Sequence, residues 1–215
     1  MTTQGLILLG VCGLAIGSFL NVCIARLPIG QSIVSPPSYC PKCRTPIKWH
    51  DNIPVLGWVR LGGRCRACRA PISARYPIVE ALTAVLFLWQ AIVVGDDLVL
   101  LAARLVFTAI LIVLFGTDLD TQRLPNVLTL PGIAVGLAFS LVAAPGIVDA
   151  LIGAALGAAI LWLIRWIWFR VTGVEGMGLG DVKMLAMIGA FLGWQQVWVT
   201  LFLSSLAGAV IGVAL

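Results

Sequence analysis

Long apolar runs separated by short polar joints occupy most of this chain, and they decide what it can fold into. They recur at about 5–25, 77–95, 98–116, 127–144, 147–170, 184–193 and 197–215. A helix that crosses a bilayer needs about 20 mostly apolar residues, and all the runs but the sixth come close to that length. The sixth is short and ends at Gly-Trp-Gln-Gln, so it is expected either to tilt or to form a tight helical pair with the last run over 184–215. Only 11% of the residues are charged and 60% are hydrophobic, with a mean hydropathy of +1.06; a soluble domain carries about a quarter charged residues. The expectation is an all-α polytopic membrane protein of about seven transmembrane helices, interrupted once by a polar loop domain.

The charge pattern sets the orientation. The net charge is +5, and nine of the fourteen Lys and Arg residues fall between Arg26 and Arg75. Concentrated in one loop of a membrane protein, such charge marks the cytoplasmic side and is not a nucleic-acid footprint. The first run has no basic segment before it, so it reads as a retained helix with its N-terminus outside, not as a cleaved signal. This divides the chain into a first transmembrane helix (1–25), a cytoplasmic tetracysteine loop (26–76) and membrane-embedded helices (77–215). With the loop inside, Asp96, Asp97 and Asp149 fall in outer turns, and every Lys or Arg except Arg104 lies at an inner loop or helix end. Asp118, closing the third run, and Asp181, opening the sixth, both arrive at the cytoplasmic face.

Two Cys-x-x-Cys knuckles, Cys40/Cys43 and Cys65/Cys68, stand 21 residues apart. Four thiolates at such spacing can close a tetrahedral site around Zn²⁺, and a closed site is structural because it keeps no open coordination position. Two disulfides are the alternative, but they seldom persist in a reducing cytosol. The loop therefore reads as a small zinc-ribbon-like domain. Its Trp49, Ile53, Val55, Leu56 and Trp58 suit packing on itself or on the bilayer surface better than binding nucleic acid. Cys12 and Cys23 read as small apolar residues of the first helix.

Most carboxylates have a plain reading: Glu80 suits the start of a helix, and Glu175 suits a solvated inner loop. Asp118 and Asp181 are different. His50 is the sole histidine, and the chain contains neither His-Glu-x-x-His nor Gly-x-Ser-x-Gly. If the chain hydrolyses anything, these carboxylates must do the work. Two Asp within hydrogen-bond reach share one proton, so one can act as base on a water while the other polarises a carbonyl. Gly176, Gly178 and Gly180, leading into Asp181, are expected to allow close backbone approach and positive φ. A non-catalytic, membrane-anchored zinc ribbon acting as an assembly scaffold, with both Asp merely interfacial, is the competing reading.

At this point the residues resemble a known family, the prepilin (type IV leader) peptidases of the GxGD aspartic class. The resemblance rests on GSFLNVCIARLP (17–28), the paired CPKC and CRAC, NIP (52–54) with LGGRC (61–65), RYPIVE (75–80), DLDTQRLPN (118–126) and GMGLGDVKMLAMIGAFLGW (176–194). It implies a bacterial inner-membrane endopeptidase that cleaves prepilin and pseudopilin leader peptides at the cytoplasmic face, then methylates the new N-terminus with S-adenosylmethionine. It also implies Asp118 and Asp181 as the catalytic pair, with Gly178 and Gly180 supporting the catalytic loop. Asp120 is the nearby competitor to Asp118, two residues on and off its face if helical, where it can support the pair or cap the helix. For methyl transfer it points to Asp51, Gly63 and Arg64. The family often has Glu and Lys where this chain has Asp51 and Arg64, which keeps the charge at both positions.

Overall fold

The computed structural model describes residues 2–214 and is helical in all its longer elements. They are α1 (Thr3–Arg26), α2 (Leu56–Arg60), α3 (Arg75–Val94), α4 (Leu98–Thr121), α5 (Asn126–Phe139), α6 (Ile147–Thr172), α7 (Leu179–Leu192) and α8 (Trp194–Ala214). Each of the seven apolar runs folds as a helix. Among the described residues, five are long and apolar enough to cross a membrane: α1, α3, α4, α6 and α8. α5 and α7 have 14 residues each, about 21 Å at 1.5 Å per residue, against a hydrocarbon core of about 30 Å. The expected seven spans are thus five full-length helices and two short ones. α7 stops at Gly193 (φ 82°) and α8 starts at the next residue, which gives the tight pair that 184–215 suggested.

The chain forms two compact units, Met1–Arg123 and Leu124–Leu215. In the first, α1 packs along α3 through a small-residue seam, the arrangement that lets membrane helices approach without bulky side chains between them. A Cβ added to Gly13 would lie 2.7 Å from Ala84 Cα, and one on Gly17 would lie 2.7 Å from Glu80 Cα. Higher up the same seam, buried Asn21 donates from Nδ2 to Tyr76 O at 3.1 Å. α4 starts on an Asp97 cap, whose carboxylate accepts from Leu100 N, so this outer-turn carboxylate has a capping role. α4 packs on both α1 and α3, and at its far end Arg75, the first residue of α3, donates to the Asp120 carboxylate. The end of α4 therefore lies beside the cysteine loop.

In the second unit, α6 and α7 touch backbone to backbone. A Cβ on Gly189 would fall 2.2 Å from Gly153 O, and one on Gly157 would fall 2.6 Å from Leu185 O. α5 packs on α7, where buried Ser140 donates to Gly136 O and Ala190 O. At the end where α7 begins, Lys183 Nζ donates to Asn126 Oδ1 at 2.8 Å, and Arg165 reaches Met177 O and the Glu175 carboxylate. The start of α7, the start of α5 and the cationic part of α6 share one end of this unit.

Candidate active site and metal centre

The two cysteine knuckles are built alike. In each, the residue after the second cysteine adopts a left-handed conformation (Arg44, φ 57°; Arg69, φ 59°) and donates its N–H to the carbonyl of the first cysteine. An antiparallel bridge then closes each turn, Tyr39 with Pro46 and Arg64 with Pro71. The four Sγ atoms lie within 4.8 Å of one another, with Cys40–Cys68 at 3.8 Å and Cys43–Cys65 at 3.9 Å. Zn–S bonds of about 2.3 Å in a tetrahedron require sulfur–sulfur edges of about 3.8 Å; the two closest pairs match this edge, and the cluster as a whole could hold a zinc ion.

The surroundings favour thiolates at two of the positions. The Thr45 hydroxyl and amide bring the Cys43 thiol down to about 6, and the amides of Cys68 and Ala67 lower Cys65. The Ala70 amide lowers Cys68 too, but the Cys43 thiol, loss of solvation, and the Cys65 and Cys40 thiols together outweigh it and push Cys68 up to about 11. A metal ion that binds all four sulfurs as thiolates resolves this crowding.

Trp58 holds the second knuckle. Its Nε1 donates to Ile72 O at 3.0 Å, and its ring lies so close to Gly63 that an added Cβ would come within 2.8 Å. Gly63 also has φ 65°, so both conformation and space select glycine here. Asp51 accepts from Arg60 and Arg66, with His50 Nε2 3.7 Å away, and its side chain is only 5% exposed. The Arg66 hydrogen bonds first, then Arg60, hold its carboxyl well below the usual carboxylate range. Arg64, by contrast, is exposed. Asp51 is thus the centre of an ion-pair cluster, Gly63 a packing position and Arg64 a surface cation.

Asp118 is exposed in the last turn of α4, which runs past it to Thr121. Its carbonyl accepts from Gln122 N, and Gln122 caps the helix in the left-handed region (φ 51°). Asp120 lies round the helix from Asp118 and is engaged by Arg75. In its own unit, Asp181 is half-buried in the first turn of α7, three residues after the cap Gly178. An added Cβ on Gly178 would lie 3.7 Å from Asp181 Oδ2, so the carboxylate turns back toward the positive end of its helix.

The glycines before Asp181 act by space and not by unusual backbone. Gly178 is extended (φ −73°, ψ 149°), Gly180 is helical, and none of Gly176, Gly178 and Gly180 has positive φ. A Cβ on Gly180 would meet Leu124 Cβ at 2.9 Å, and one on Gly176 would meet the Trp168 ring at 2.5 Å. The expected close approach is present at Gly176 and Gly180 but not at Gly178, whose neighbours lie at ordinary contact distance, and none of the three has the expected positive φ. Glu80 also departs from its sequence reading. It is the sixth residue of α3, is 7% exposed, and accepts from Val55 N at 2.7 Å. The signal was available: Glu80 shares its helix face with buried Thr83, Ala84, Phe87 and Ala91, and a carboxylate on a buried stripe needs a partner.

Residues 11–94 match the family described as "Bacterial Peptidase A24 N-terminal domain", and residues 105–213 match "Type IV leader peptidase family". A relative from Aeromonas hydrophila, named prepilin leader peptidase/N-methyltransferase, is 45% identical over 94% of this chain and 78% of its own length. Proteins of the same name from Klebsiella pneumoniae and Neisseria gonorrhoeae are 44% and 39% identical, over 90% and 97% of this chain and 87% and 81% of their own lengths. No solved structure matches the chain. The tetracysteine cluster falls inside the first match and both helix-end aspartates inside the second, and the chain belongs to the type IV leader peptidase family.

Proposed function

We propose that this chain is a membrane-embedded aspartic endopeptidase that removes the leader of prepilin and pseudopilin substrates at the cytoplasmic face of the bacterial inner membrane. Asp118 and Asp181 are its catalytic pair, and it then methylates the new N-terminus with S-adenosylmethionine. The family membership and the printed names of the relatives support the activity. The observation that carries the residue assignment is the position of each aspartate. Asp118 ends α4 at the cysteine-loop end of its unit, and Asp181 begins α7 at the end bearing Arg165 and Lys183.

All seven apolar helices lie in the membrane in this reading, five across it and α5 and α7 as short inserted elements. A helix about 9 Å shorter than the hydrocarbon core leaves a recess at its end, where water can reach a carboxylate. The ionised Asp takes a proton from that water as its oxygen attacks the scissile carbonyl. The protonated Asp donates to the carbonyl oxygen, and collapse of the tetrahedral intermediate delivers a proton to the leaving amine.

S-adenosylmethionine supplies a methyl electrophile for the freed amine. The loop residues assigned to that step do not form a ready cradle. Asp51, the one carboxylate of the loop, is already held by Arg60 and Arg66, so its part is to shape the chain around Gly63 and Arg64. The test is incubation of the purified protein in nanodiscs with a prepilin, with and without S-adenosylmethionine, read by intact mass. Asp118→Asn and Asp181→Asn should each lower leader removal by at least about 10³-fold while the protein stays helical and inserted. Cleavage at the wild-type rate by either variant refutes the pair.

A further inference from the structure

The cysteine loop carries apolar side chains that its own fold does not cover. Trp49 is 81% exposed, Leu56 66% and Val59 61%. Exposure of this kind is ordinary on α1, α3 or α4, which face lipid, but it is costly on a loop bathed in water. Leu56 and Val59 stand three residues apart on α2 and so share a face. Arg60, on the same short helix, bonds His50 O and Asp51 Oδ1, which brings the Trp49–Asp51 turn against α2.

The position of α2 relative to the long helices is fixed by one bond. Val55, immediately before α2, donates its N–H to Glu80, five residues inside the apolar helix α3. Five residues are about 7.5 Å of helix. A helix side chain leans back toward the N-terminus of its helix, so the start of α2 is held near the loop-side end of α3, at the edge of the candidate membrane span and not far out in the cytosol. Val55 sits at the centre of a γ-turn (φ 60°, ψ −52°), closed by Leu56 N–H donating to Pro54 O, the rare and strained form of that turn for a β-branched residue. The charge on the loop also has a direction: residues 27–74 hold seven Lys and Arg and a single acid, Asp51.

We propose that α2 and the turn before it form an in-plane membrane-surface element, which seats the cysteine loop on anionic phospholipid headgroups through Trp49, Leu56 and Val59. Tryptophan suits the headgroup layer, where its ring is half in an apolar setting and its N–H stays wet. Basic residues near the surface add attraction to anionic lipid. The proposal rests on α3 spanning the bilayer, and its test checks that separately.

The full-length protein is placed in nanodiscs of phosphatidylcholine and phosphatidylglycerol, with phosphatidylcholine brominated near the headgroup or left unbrominated. The emission of Trp49 is obtained as the difference between the wild type and Trp49→Phe, and that of Trp89, on α3, from Trp89→Phe. Bromolipid should quench Trp49 at least about twofold, more in anionic than in neutral nanodiscs, while aqueous iodide should quench it little. The double variant Leu56→Asp/Val59→Asp should restore iodide quenching of Trp49 with zinc content unchanged. If Trp89 responds to bromolipid and Trp49 does not, the proposal is overturned. This holds whether iodide finds Trp49 (a water-facing loop) or does not (a protein-covered one). If Trp89 also fails to respond, the membrane reading of α3 fails first.

Discussion

At Asp51 the lesson is one of partners: its carboxylate lies between two guanidiniums and is nearly covered, so it ties the loop together. Its folded pKa is depressed, so the stabilisation is fully present above the unfolded value of about 3.9 and is lost only as pH falls through the folded one. Asp51→Asn should therefore release zinc to a chromophoric chelator several-fold faster than the wild type, by the same factor at pH 8 and pH 6. A gap that closes between those two values would mean that Asp51 is not ion-paired.

The glycines before Asp181 carry the opposite lesson. Sequence correctly marked them as special but could not choose between conformational freedom and lack of a side chain. That choice depends on Leu124 and Trp168, which neighbour them in space. Spacing alone found the four thiols, because a metal knuckle is a local object. Glu80 and Asn21 were harder to see, since their roles depend on a turn and a carbonyl brought in from elsewhere in the chain.

Hydropathy located every long helix and marked the sixth as short, and it overstated the length of the fourth. α5 has Pro125 at its cap and Pro131 inside, and α7 is stopped by Gly193. α5 continues through Pro131 and ends at Phe139, short of the end of its apolar run, while α7 has the short length that its run foretold. What hydropathy could not show is that α6 and α7 meet through Gly153, Gly157 and Gly189 with no side chains between them. Adding one methyl at Gly189 forces backbone against backbone, an overpacking that costs about 1–3 kcal/mol or more. Gly189→Ala should lower the melting temperature in detergent by several degrees. Gly208→Ala on α8, where an added Cβ meets nothing within 4 Å, should leave it unchanged.

Across the whole molecule, the cysteine loop is joined to its helices at more points than chain connectivity provides. The Val55–Glu80 bond closes a ring of residues 55–80 that holds the second knuckle, and the first knuckle lies outside that ring. Loss of metal should therefore come apart in a fixed sequence, as a door swings on the hinge side last. After chelation, trypsin should cut at Lys42, Arg44 and Lys48 before Arg64, Arg66 and Arg69, as timed peptide mapping would show. In Glu80→Ala the two sets of cuts should appear together. A single buried carboxylate would then set which half of the cysteine loop opens first when zinc is scarce.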